Sequence, residues 1–152
     1  KVGRLVGCFA AAAVCAVDGG RFLMADSEGV LVEVSLPVGV DGVSVTEVVV
    51  QRLGHLGCVP QCLAYLGEGR LFVGSPAGPN AILQLLTEPG ADGAAFTISR
   101  QWPSFAGASS AVLADLDGTG HPTLLATVGQ HCGGSLGVLR RGASLLVSHR
   151  VD

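Results

Sequence analysis

An apolar run, a glycine-rich turn and a second apolar run recur three times in this chain at intervals of roughly fifty residues. The copies read Phe22-Leu23-Met24-Ala25-Asp26 into Glu28-Gly29-Val30-Leu31-Val32, Leu71-Phe72-Val73-Gly74-Ser75 into Asn80-Ala81-Ile82-Leu83-Gln84-Leu85, and Leu124-Leu125-Ala126-Thr127-Val128-Gly129 into Gly134-Ser135-Leu136-Gly137-Val138-Leu139. That spacing is the period of a four-stranded propeller blade. A repeat of this kind buries its apolar faces only against neighbouring copies, so it points towards a platform for partners and away from catalysis.

Almost every segment suits a short strand bounded by turn residues, and no long stretch keeps a helical apolar period with caps at both ends. The fold class expected is therefore all-β, as about three four-stranded, WD-repeat-like blades over residues 10–53, 58–102 and 110–149 of one partial propeller, 1–152. Strands are expected near residues 10–17, 21–26, 29–36 and 43–53 in the first copy, and at 61–66, 70–74, 81–86 and 94–101 in the second. In the last of these, Phe96 and Ile98 alternate with Thr97 and Ser99. A β-sandwich would account for the strands and turns, but not for their recurrence at nearly constant spacing.

Composition agrees with an assembly of blades. Of 152 residues, 49% are hydrophobic and only 14% charged, against a usual charged share of about 25%, so much of the surface is expected to be covered. The chain begins at Lys1, its apolar runs continue almost to Asp152, and this looks like a piece of a longer protein. Three blades alone would leave sheet faces and edges open, and are expected to be incomplete by themselves. Lys1, Arg4 and the apolar run Leu5 to Val17 also outline a secretory signal, although the run is too short to cross a membrane.

The net charge of −3 and scattered basic residues offer little support for direct nucleic-acid binding. An odd count of five cysteines, mostly within apolar runs, suits reduced thiols in the nucleus or cytosol.

At Cys62-Leu63-Ala64-Tyr65-Leu66, Gly69, Leu71-Phe72-Val73-Gly74-Ser75, Gly78 and Leu83 the chain resembles the family of large damaged-DNA-binding subunits, which carries the same Cys-Leu-x-Tyr-Leu and Phe-Val-Gly-Ser-x-x-Gly patterns. The first copy adds Phe22-Leu23-Met24-Ala25-Asp26-Ser27-Glu28-Gly29. The third adds Ala114-Asp115-Leu116-Asp117-Gly118-Thr119-Gly120, Gly134-Ser135-Leu136 and Leu139-Arg140-Arg141-Gly142. Sister subunits of the cleavage-and-polyadenylation and splicing factor 3b complexes share the architecture.

The resemblance implies closing blades of the first of three seven-bladed propellers, in a non-enzymatic adaptor of a cullin-RING ubiquitin ligase linked to DNA repair in the nucleus. Its implied partners are a cullin and propeller-type substrate receptors, with damaged DNA reached indirectly, and neither a membrane nor a small-molecule substrate nor a cofactor is implied. The loops after Gly74-Ser75 and after Gly129 would then face the receptor cleft, with Pro76, Ala77, Gly107 and Gln130 as candidate contacts. These loops are also where the chain departs from the family. Pro76 and Ala77 replace a basic and an apolar residue, Pro79 stands for a common aspartate, and Ala106-Gly107-Ala108-Ser109-Ser110 replaces a Gly-Pro-Ile-x-Asp entry.

Other chemistries compete with this reading. Asp115, Asp117 and Thr119 alternate along a glycine-bearing loop, as calcium ligands do, and would suit a calcium-stabilised extracellular adhesion propeller. The same residues also make an ordinary turn, and no acidic residue follows to supply a bidentate ligand. Cys58 and Cys62 with His55 raise zinc, but no second closely spaced cysteine pair completes a tetrahedral site. Gly107-Ala108-Ser109-Ser110-Ala111 lacks the second glycine of a nucleophile elbow, and Gly67-Glu68-Gly69 neither reaches a third glycine nor opens a helix. Trp102, before Pro103, is read as the closure of a hydrophobic blade edge or as a hot spot for a partner.

Overall fold

The computed structural model describes residues 11–36, 48–76, 79–91, 93–116, 118–120, 123–129, 134–139 and 145–151. They form twelve strands in three antiparallel sheets, each of four strands hydrogen-bonded in chain order. Sheet 1 contains β1 (Ala11–Ala16), β2 (Arg21–Asp26), β3 (Val30–Ser35) and β4 (Val49–His55). Sheet 2 contains β5 (Cys62–Gly67), β6 (Arg70–Gly74), β7 (Pro79–Leu85) and β8 (Phe96–Ala106). Sheet 3 contains β9 (Ala108–Ala114), β10 (Thr123–Gly129), β11 (Gly134–Leu139) and β12 (Leu145–Val151). Consecutive antiparallel meanders of this kind are the topology of propeller blades.

Turn chemistry sets the hairpins. Gly19 and Gly20 both have positive φ, at 65° and 78°, and link β1 to β2 in the conformation that tight hairpins demand. At the β2–β3 turn the Asp26 Oδ1 accepts the N–H groups of Glu28 and Val30 at 2.9 and 2.8 Å. The short side chain closes the turn by itself.

The sheets meet through their first strands, β1 against β5 and β5 against β9. Alternation along a strand sends successive side chains to opposite faces, so sheet 2 feeds two cores at once. Leu63, Leu71, Val73 and Leu83 join Leu23, Leu31 and Leu53 of sheet 1. Cys62, Ala64 and Phe72 join Ala108, Leu124 and Ala126 of sheet 3. Strands apolar on both faces, as Leu71-Phe72-Val73 is, belong in a sheet covered on both sides.

Two strand expectations need correction. The strand expected over 43–53 is found as Val49–His55, and residues 43–47 lie outside the described ones. Trp102 does not end its strand: β8 runs on through Pro103 to Ala106. Proline is tolerated there because β8 is the last strand of its sheet, with one side free of ladder pairing among the described strands.

Candidate functional site

Register places one set of turns at a common end of all three sheets. Ala11 pairs with Asp26 and Val30 with His55 in sheet 1, Cys62 with Gly74 and Pro79 with Ala106 in sheet 2, and Val128 with Ala108 in sheet 3. The β2–β3 turn, the Gly74–Pro79 turn, the single residue Gly107 between β8 and β9, and the end of β10 at Gly129 therefore share one face.

Ser75 organises the centre of that face. Its hydroxyl donates to the Val59 carbonyl at 3.0 Å, and its N–H donates to Asn80 Oδ1 at 3.1 Å. Its carbonyl accepts the Gly107 N–H at 2.9 Å, while the neighbouring Gly74 carbonyl accepts the Gln61 N–H at 2.7 Å. The residue thus ties the sheet 1–sheet 2 crossing, the start of β7 and the sheet 2–sheet 3 crossing together. Ser75 and Asn80 are wholly buried, and buried polar groups hold their positions only when bonded in this way.

Of the four residues expected to touch a partner, Pro76 is exposed beside this clamp. Gly107 is buried, with φ at 89° and its N–H bonded to Ser75, so it shapes the loop through its backbone. Ala77 and Gln130 lie outside the described residues. The structure brings Pro76 and Gly107 together through Ser75. Asn80 and Val59 were missed from sequence, although a serine and an asparagine bracketing a proline-rich turn is a pattern that could have flagged the clamp.

The neighbouring turn of sheet 1 is held as closely. A side chain at Gly29 would run into the Cys58 carbonyl oxygen, and the Gly29 carbonyl accepts the Leu56 N–H at 2.8 Å. Gly57 donates its N–H to His55 Nδ1 at 2.9 Å. Burial raises the Cys58 thiol above its ordinary pKa, opposed by a hydrogen bond with Ser75. A thiol held protonated is a poor nucleophile and a poor metal ligand.

The Asp115 loop lies at the opposite end of the sheets. Asp115 Oδ1 accepts the Thr119 N–H at 3.2 Å and Oδ2 accepts the Gly120 N–H at 2.8 Å. Both carboxylate oxygens close the loop, and Asp117 lies outside the described residues. Among the described residues, no group of three or more His, Cys, Asp or Glu side chains is arranged to hold a metal.

No family model matches the chain. It is similar to DNA damage-binding protein 1 of Caenorhabditis elegans, at 30% identity over 130 residues that make up 84% of this chain and 11% of that protein. It is similar to DNA damage-binding protein 1 of Drosophila melanogaster at 27% identity over the same shares. The chain thus spans about a ninth of the length of these relatives, 11% in each case.

Proposed function

We propose that this chain is part of a non-enzymatic propeller scaffold linked to DNA repair, resembling the adaptor of a cullin-RING ubiquitin ligase. The similarity to two proteins named for binding damaged DNA carries the reading, because it extends over 84% of the chain. Three meander sheets joined through their first strands support the propeller part of the reading.

The end face around Ser75 is where receptors would dock. Pro76 supplies a contact there and Gly107 sets the loop path, with Ala77 and Gln130 as the further candidates from the sequence. The nucleus is the compartment that suits this role, and damaged DNA is reached through partners. The calcium-stabilised adhesion propeller is not favoured, because the Asp115 carboxylate is already engaged by its own loop.

Affinity purification of the tagged full-length protein tests the reading. A cullin and propeller-type receptors are expected among the recovered proteins, and replacing Pro76 with glutamate is expected to reduce receptors while sparing the cullin. Recovery of polyadenylation or splicing subunits alone would move the chain to a sister complex and overturn the adaptor assignment.

A further inference from the structure

We draw no further inference here: the strongest candidate, the apolar cavity of about 70 Å³ between the sheet 1–sheet 2 crossing at Leu56 and Cys58 and the β6–β8 side chains Val73, Ala81, Leu83 and Ile98, carries nothing because nothing in the structure shows what occupies it.

Discussion

Leucine side chains fill the seam between the first and second sheets, whereas cysteine, alanine and glycine line most of the seam between the second and third. In the first seam Leu23, Leu31, Leu53, Leu63, Leu71 and Leu83 share the burial among many contacts. In the second, Phe72 is the one fully buried large side chain among the described residues, set among Cys62, Ala64, Ala108, Leu124 and Ala126. Gly74 lies so close to the third sheet that an added Cβ would stand 2.9 Å from the Ala108 Cβ and 3.0 Å from its carbonyl oxygen. The first seam is held by distributed leucine area, with its own close approach where a Cβ at Gly54 would stand 2.9 Å from the Phe96 ring, and the second by alanines and a cysteine around a single fully buried aromatic. Loss of volume and gain of volume should therefore affect the two differently.

The largest effect expected is from Phe72→Ala, about 3–5 kcal/mol of destabilisation, since it removes the largest side chain that is fully buried among the described residues. Leu71→Ala, one residue away on the opposite face, should cost about 2–4 kcal/mol because its leucine neighbours can relax. Urea unfolding of both variants measures the difference. A smaller loss for Phe72→Ala than for Leu71→Ala would break the comparison.

Gly74→Ala should cost about 1–3 kcal/mol through overpacking. Adding Ala108→Gly to it should recover part of the loss, giving a favourable coupling in a double-mutant cycle. Strict additivity would show that the second seam is not limited by close approach. Asn80→Ala leaves the buried Ser75 N–H without its acceptor and should cost about 1–3 kcal/mol. Reduced receptor recovery with Asn80→Ala at a temperature where the protein remains folded would tie the clamp to the docking face.

The smallest effect concerns the thiols, one at each seam. Burial raises Cys15 and Cys62 from 9.0 to about 11, in spite of hydrogen bonds to backbone groups that pull the other way. The folded chain keeps these protons more tightly than the unfolded chain does, so their contribution to stability is complete below pH 9 and declines as pH rises towards about 11. Melting temperature should fall over that interval, and Cys15→Ala and Cys62→Ala should each flatten part of the fall. An unchanged alkaline profile in both variants would remove the thiols as its cause.

Much of the fold was legible in the sequence because period-2 alternation and glycine turns are local signals. The strands at 21–26 and 70–74 are observed as Arg21–Asp26 and Arg70–Gly74. Ile98 was harder to read: it takes an apolar place in the alternation with Thr97 and Ser99, yet it is 57% exposed. The alternation holds on each side of the bulge at Ser99, where Leu83 pairs with Ile98 and Ile82 with Arg100, but the last strand extends beyond the reach of the adjoining sheet. The candidate site was legible in part. Pro76 could be placed on an exposed turn by its residue type, whereas the burial of Gly107 depends on Ser75, 32 residues earlier in the chain.

Local residue choice was enough to specify three four-stranded meanders, their hairpins and their similarity to DNA damage-binding protein 1, because turns and alternation act within a few residues and the motifs keep their order. Only the packing of sheet on sheet decided that leucines gather in one seam while alanines and a cysteine surround Phe72 in the next. It also decided that Ser75 joins three segments, and that Arg100 and Ile98 lie on opposite faces of the last strand of its sheet. Those arrangements depend on contacts between residues distant in the chain, and no local pattern sets the distance at which two sheets come to rest.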